Sequence, residues 1–176
     1  MAGAPPVRRK VESPVGLAEC RIAKDEVHPP VGLRQVEHRN YFGTVAIFDG
    51  LRSCLAISDA PAAVVVSSSS TLNRGSDALV RACLRGDETQ ALATAGRLIR
   101  TRRGSQIYRS SKLALNLWVR SAAVTAEWAG QDIVLNAVAP GIIATEAVTR
   151  SWPQERLLLE TALPQPLGSP GPVKPV

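Results

Sequence analysis

Apolar residues recur at intervals of three and four from Asn40 onward, which is the spacing of one face of a helix. The pattern predicts a helix over residues 40–58. The sequence Asp59-Ala60-Pro61 should end this helix, because the proline ring cannot continue the helical hydrogen-bond ladder. The apolar positions of the face are Tyr41, Val45, Phe48, Leu51 and Leu55.

Two short apolar runs predict parallel strands that are buried on both faces. The first covers residues 62–66 and is followed by the serines 67–70, and the second covers residues 132–138 and is followed by a turn at 139–141. Both runs are continuous rather than alternating, which is typical of strands covered on both sides. Serines at the end of a parallel strand lie at the carboxyl edge of its sheet, where open α/β sheets bind ligands.

Helices are predicted between the two strands. Residues 75–100 should form one or two short helices broken at Gly86 and Gly96, and residues 102–105 a turn. The strongest helix should run from Tyr108 to Trp128 and close at Gly130. Alternating helices and strands predict an α/β fold with a parallel sheet.

The two ends of the chain differ from this central block. Residues 1–39 hold many prolines and no persistent apolar pattern, which indicates loop or disorder. A short helix starting near Ser151 and a tail from Leu163, too rich in proline and glycine to pack, are expected at the other end. The predicted organisation is therefore a segment 1–39, a central α/β block 40–150 and a terminal part 151–176.

Composition narrows the class of protein. The net charge of +6 could indicate a nucleic-acid partner, but the arginines are scattered and aromatic residues make up only 4% of the chain. The three cysteines form no C-x-x-C pair, so neither a disulfide framework nor a metal site is expected. No apolar run is long enough to cross a bilayer or to act as a signal peptide, so we expect a soluble cytoplasmic protein without nucleic-acid or membrane partners.

Candidate chemistry lies at the predicted start of the long helix. Tyr108 and Lys112 are four residues apart, so both side chains project from one helix face. Reduction of a carbonyl needs a proton donor at oxygen, and a tyrosine can serve if a nearby cation brings its pKa down from about 10. About 0.05 pairs of this spacing are expected by chance in a chain of this composition, so the pair needs support from its context.

The context resembles the short-chain dehydrogenase/reductase family. Three motifs carry the resemblance: the strand ending in Ser67-Ser68, the sequence Tyr-x-Ser-Ser-Lys opening a long helix at 108–112, and the run Asn-Ala-Val-Ala-Pro-Gly at 136–141. The resemblance covers about residues 40–147. It implies a partial Rossmann-like, doubly wound parallel sheet and hydride transfer between NAD or NADP and a carbonyl or secondary alcohol.

The resemblance also implies roles for individual residues. Tyr108 matches the family's proton donor, and Lys112 matches the lysine that lowers the pKa of that tyrosine and holds the nicotinamide ribose. Ser68 matches the serine that contacts the substrate oxygen, and Asn40 resembles the asparagine that anchors a proton-relay water. The loop that contacts the nicotinamide carboxamide is matched by Pro140, Gly141, Ile143 and Thr145.

Simpler interpretations stay open for several of these positions. Ser67 or Ser69 could replace Ser68 if the strand register shifts, or the whole serine run could be a polar loop. Asn40 could be a helix cap, and Pro140-Gly141 an ordinary turn.

Departures from the family pattern affect the cofactor and the ends. Residues 1–39 contain no glycine-rich turn of the kind that holds a dinucleotide pyrophosphate, so cofactor affinity should be poor. We expect a truncated, weakly active or inactive member of the family. Its unusually long connection from Ser68 to Tyr108 resembles the bacterial 3α-hydroxysteroid dehydrogenase-type branch and suggests an apolar, steroid-like substrate. The alternative is a non-catalytic interaction protein that forms a homo-oligomer, or pairs with an intact relative, through the helices 40–58 and 108–129.

Overall fold

The computed structural model describes residues 38–146, 148–150, 163 and 170–174. The predicted character of residues 1–37, of most of the tail and of a helix start at Ser151 lies outside the described residues. Within them, the helices are α1 (Thr44–Leu55), α2 (Asp77–Leu84), α3 (Glu88–Arg100) and α4 (Ser105–Ala122), and the strands are β1 (Ala62–Val66) and β2 (Val134–Val138). Short 3-10 turns cover Ser69–Leu72 and Ala129–Gln131.

A π-helical turn, His38–Gly43, leads directly into α1. Such widened turns are rare and often occur at functional sites. The turn buries Asn40 and Tyr41, and α1 buries Phe48. The predicted helix over 40–58 is thus present, but it begins two residues earlier and its α-helical part ends at Leu55.

The sheet consists, in the described residues, of two parallel strands. Ala62 pairs with Val134 and the register continues without a bulge to Val66 and Val138. The amide of Ser67 extends the ladder by donating to the carbonyl of Val138 at 2.7 Å. The α/β class and the parallel pairing predicted from sequence are confirmed.

The prediction that both strands are buried on both faces is wrong. Burial along β1 alternates, with Ala63 and Val65 buried. On the opposite face Val64, Val66, Val134 and Val138 are between 49% and 59% exposed. We call these four residues the valine face. The reason is that helices, with α4 against β2, cover only one side of the sheet in the described residues.

The insertion between β1 and α4 forms a pair of helices, as predicted. Gly86 separates α2 from α3 and has a φ of +69°, a conformation that glycine adopts without steric cost. Each helix starts at a side-chain cap, because Ser76 accepts from the amide of Leu79 and Asp87 from that of Gln90. Gly96, which was expected to break the helix, is instead buried inside α3.

The long helix is shorter than predicted. α4 ends at Ala122 rather than at Trp128, and Gly130 lies in the following 3-10 turn instead of capping the helix. The reason is tertiary packing: Trp128 folds back into the core, where its ring lies 6.1 Å from that of Trp118 and 6.5 Å from that of Phe48. Residues that read as helical by composition therefore form turns.

The tail was expected not to pack, and one part of it does. Gly171 donates to the carbonyl of Ile142 and accepts from the amide of Ala144, both at 2.8 Å, in an isolated parallel bridge. The Cβ of an alanine at this position would lie only 3.2 Å from the Ile143 side chain, so the small size of glycine permits the approach. Among the described residues, no helix has the length and apolar character needed to span a bilayer.

Tyr41 should make the fold sensitive to alkali. Burial, with smaller contributions from Cys83 and Asp49, raises the pKa of Tyr41 from 10.0 to about 12. A raised folded-state pKa means that the folded protein holds this proton more tightly than the unfolded chain. The resulting stability is complete below pH 10 and is lost as the pH rises towards about 12. We therefore expect Tyr41→Phe to flatten the fall of the unfolding free energy over this pH range, measured by denaturant titration with circular dichroism. A parallel fall in both proteins would contradict the assignment.

Candidate active site

Lys112 fixes the centre of the site. Its side chain is only 6% exposed, and its ammonium group donates to the carbonyl of Val66 at 3.0 Å. Val66 is the last residue of β1, so this bond joins the first half of α4 to the carboxyl end of the strand. The ammonium nitrogen also lies 5.8 Å from the centroid of the Tyr108 ring. A cation at this distance is attracted to the face of the ring.

The serine run is fastened to the loop after β2 by backbone hydrogen bonds. Beyond the Ser67 bond to Val138, the amide of Ser69 donates to the carbonyl of Pro140 at 2.9 Å. Ser68 lies between them in an extended conformation, and its hydroxyl accepts from the amide of Ser70 at 3.1 Å. A hydroxyl has one donor and two acceptor positions, so the Ser68 hydroxyl can still donate a hydrogen bond to a ligand.

Two buried serines between Tyr108 and Lys112 hold the neighbouring elements. The hydroxyl of Ser110 accepts from the amide of Ser76, at the start of α2, at 2.8 Å. The hydroxyl of Ser111 donates to the carbonyl of Tyr108 at 2.7 Å and receives the side-chain amide of Asn40 at 3.4 Å. The motif therefore links the insertion and the π-helical turn to the same helix.

A cavity of about 460 Å³ opens at the carboxyl edge of the sheet. Tyr108 lies on its wall and is 41% exposed, which leaves its ring accessible from the cavity side. The wall combines hydroxyl-bearing residues with an apolar side. Its members are Ser68, Ser69, Ser70, Asn73, Ser105, Tyr108, Arg109, Gly141, Ile142, Ile143, Thr145, Val148 and Leu163.

The structure brings most of the predicted site residues to this cavity. Tyr108, Ser68, Gly141, Ile143 and Thr145 line it, and Lys112 is buried beside the tyrosine ring. Of the alternatives to Ser68, Ser69 is also on the wall.

Besides Lys112, three of the residues considered are not on the wall. The side-chain amide of Asn40 donates to the hydroxyl of Ser111, and the carbonyl of Pro140 accepts from the amide of Ser69. Ser67 is buried away from the wall, with a hydroxyl that has no hydrogen-bond partner among the described residues.

Sequence reasoning missed three polar residues of the wall, besides its apolar members Ile142, Val148 and Leu163. Ser105 precedes Tyr108 by three residues on the same helix, and this spacing could have indicated a shared face. Asn73 follows the serine run in the chain, but no periodicity marks it. Arg109 is adjacent to Tyr108, and neighbouring residues on a helix point in different directions, so no sequence pattern places it on the cavity.

The residues present fit the nicotinamide end of a dinucleotide cofactor. The cavity offers the serine hydroxyls, the hydroxyl of Thr145 and the backbone of the loop 141–143, all suited to a carboxamide. The Lys112 ammonium is close to the tyrosine that would act on the substrate.

Comparisons with known proteins agree with this geometry. Residues 55–176 match the family model described as enoyl-(acyl carrier protein) reductase. The structure is similar to the crystal structure of the 3-alpha-hydroxysteroid dehydrogenase from Pseudomonas sp. B-0831 complexed with NADH, with a TM-score of 0.68 and 32% sequence identity. The match covers 81% of this chain and 55% of the Pseudomonas chain. No curated protein sequence matches significantly.

The chain belongs to the short-chain dehydrogenase/reductase family. Its described residues adopt part of the Rossmann fold of that family, and the match spans only about half the length of the Pseudomonas enzyme. The resemblance drawn from the Tyr-x-Ser-Ser-Lys motif and its flanking strands is confirmed.

Close packing at Ser110 gives a structural prediction. A Cβ at position 75 would lie 2.7 Å from the hydroxyl of the fully buried Ser110 and 3.4 Å from its Cα. We expect Gly75→Ala to lower the free energy of unfolding by about 1–3 kcal/mol, the usual effect of overpacking. Denaturant unfolding measures the change. Gly50→Ala is a control without a steric clash, since a Cβ there meets no atom within 4 Å, and alanine inside α1 should stabilise by about 0.5–1 kcal/mol. A Gly75→Ala variant as stable as the unmodified chain would show that the contact relaxes freely.

Proposed function

We propose that this chain carries the substrate-binding and proton-transfer part of an NAD(P)-dependent oxidoreductase that interconverts a ketone and a secondary alcohol. The observation that supports it best is the placement of Tyr108 and Ser68 on one cavity wall, with the Lys112 ammonium buried beside the tyrosine ring. Proton donor, stabilising cation and oxygen-binding hydroxyl are thus brought together at the edge where α/β sheets bind ligands.

The proposed chemistry follows from these three groups. Ser68 donates a hydrogen bond to the substrate carbonyl and holds it towards Tyr108. When bound, the dihydronicotinamide supplies a hydride to the carbonyl carbon. Tyr108 gives its proton to the oxygen as the negative charge develops there, and the Lys112 ammonium stabilises the phenolate that remains. Oxidation of the alcohol is the reverse, with the phenolate accepting the proton.

We assign the cofactor contacts to Lys112, Pro140, Gly141, Ile143 and Thr145, and a supporting role behind the tyrosine to Asn40. The solved relative is an NADH complex. Because residues 1–39 carry no glycine-rich turn, we propose that this chain binds NAD or NADP weakly and turns over slowly. A steroid-like substrate is consistent with the apolar side of the cavity, formed by Ile142, Ile143, Val148 and Leu163.

The central test is Tyr108→Phe. With a hydroxysteroid and millimolar NAD or NADP, we expect slow cofactor reduction by the unmodified chain, followed by absorbance. The variant should be slower by about 100-fold or more, since general acid–base catalysis contributes on that scale. Tyr41→Phe is the matched control, because it removes a core tyrosine hydroxyl that is not on the cavity wall.

Cofactor binding is a separate measurement. A ligand that binds only the folded state raises the melting temperature, so NADH or NADPH should produce a concentration-dependent shift. No shift with either cofactor at millimolar concentration, or equal turnover by Tyr108→Phe and the unmodified chain, would rule out this function for the chain.

A second candidate function is pairing with another copy or with an intact member of the family. The valine face favours it, because exposed clusters of β-branched residues on a sheet are typical of surfaces that another chain covers. The earlier assignment of the contact to the helices has less support, because Leu113, Leu117 and Trp118 of α4 pack partly buried against the core.

Substitution of the valine face separates the two candidates. The double variant Val64→Thr, Val134→Thr should lose association, measured by light scattering after gel filtration, while keeping any Tyr108-dependent turnover. Leu72→Thr is the control, since Leu72 is an isolated residue that is 86% exposed and not on the sheet. Association that survives the double variant would place the contact elsewhere.

A further inference from the structure

Arg109 is the only charged side chain among the described residues that line the cavity. The same set contains no aspartate or glutamate. A ligand in the cavity therefore meets one positive charge, several hydroxyl-bearing side chains and no neighbouring carboxylate among these residues. Such a combination attracts negative charge rather than positive charge.

Arg109 has no side-chain partner of the kind that some other arginines have, and it differs from the exposed arginines in lying on the cavity wall. Arg52 pairs with Asp49, Arg150 with Glu146, and Arg97 hydrogen-bonds Thr94. Arg109 makes no ion pair or side-chain hydrogen bond to any described residue, although it is half-buried. A half-buried guanidinium without a protein partner has five N–H donors to offer a ligand, and their planar arrangement suits a carboxylate, sulfate or phosphate.

The surroundings strengthen this preference. Ile142, Ile143, Val148 and Leu163 form the apolar side of the cavity. Apolar walls exclude water and weaken screening, so a charge pair formed here is stronger than one on the open surface.

We propose that the substrate carries an acidic group, which Arg109 binds while the carbonyl or alcohol lies at Tyr108 and Ser68. This rests on the proposed function. Tyr108 and Arg109 are consecutive on α4 and project about 100° apart, so the two groups must be separated on the ligand. The substrate class is therefore an elongated, largely apolar ketone or alcohol with an anion distant from the reacting carbon.

The test compares two ligands that differ only in charge: a ketosteroid with a side-chain carboxylate, and its methyl ester. Isothermal titration calorimetry of the full chain at low salt gives Kd for each. We expect the acid to bind at least about tenfold more tightly than the ester, which corresponds to one charge-assisted hydrogen-bonded pair. Arg109→Gln should abolish the difference, and Arg109→Lys should retain part of it.

Arg120→Gln is the matched control. It removes the same charge from an exposed position on the same helix, outside this cavity. Equal binding of acid and ester by the unmodified chain, binding of neither, or equal effects of Arg109→Gln and Arg120→Gln would each overturn the proposal. An equal loss of affinity for acid and ester in Arg109→Gln would also overturn the proposal, because the guanidinium would then act through packing.

Turnover distinguishes this proposal from the function on which it rests. Arg109→Gln should raise KM for the acid and leave KM for the ester unchanged. Tyr108-dependent turnover with no preference for the acid would overturn the anion site alone. A charge preference that depends on Arg109, with turnover indifferent to Tyr108→Phe, would overturn the catalytic assignment and leave an anion-binding cavity.

Discussion

The hydrogen bond from the Lys112 ammonium to the Val66 carbonyl is the interaction on which the site depends. A buried charge is costly unless polar groups compensate it, so the end of β1 must lie where its carbonyl can receive this donor. The bond sets how α4 lies against the sheet, and with it where Tyr108 projects. The serine run leaves β1 one residue later, so tyrosine and serines reach the same cavity.

Neighbouring bonds extend this arrangement to the rest of the molecule. Ser110 holds the start of α2, and Ser111 holds the π-helical turn through Asn40. The Ser69 amide holds the loop after β2 through Pro140. One short motif on α4 therefore positions the insertion and the turn before the first helix, which explains why two of its residues are buried serines that do not line the cavity.

The sequence predicted those parts of the molecule that local chemistry determines. The apolar run at 62–66 predicted the strand that ends at the serines, and the spacing of Tyr108 and Lys112 predicted that their side chains lie near each other. It failed where distant residues decide the outcome. Trp128 lies outside the helix because its ring packs in the core against Trp118 and Phe48. The strands were expected to be covered on both faces, because an apolar run does not reveal whether a second layer of helices exists. Arg109 lies on the cavity wall for a reason equally distant in sequence, because residues after β2 such as Ile143 and Val148 line the same cavity.

The parallel register of β1 and β2 has a consequence for how the chain folds. The sheet depends on contacts that are far apart in sequence, such as the pair of Ala62 and Val134. The helices α2 and α3, joined at Gly86, pack through local contacts, which form quickly. Formation of the strand ladder instead costs the entropy of closing the whole crossover between β1 and β2. The ladder should therefore be among the last parts to form during folding, and the edge that carries the candidate site comes into existence only at that final step.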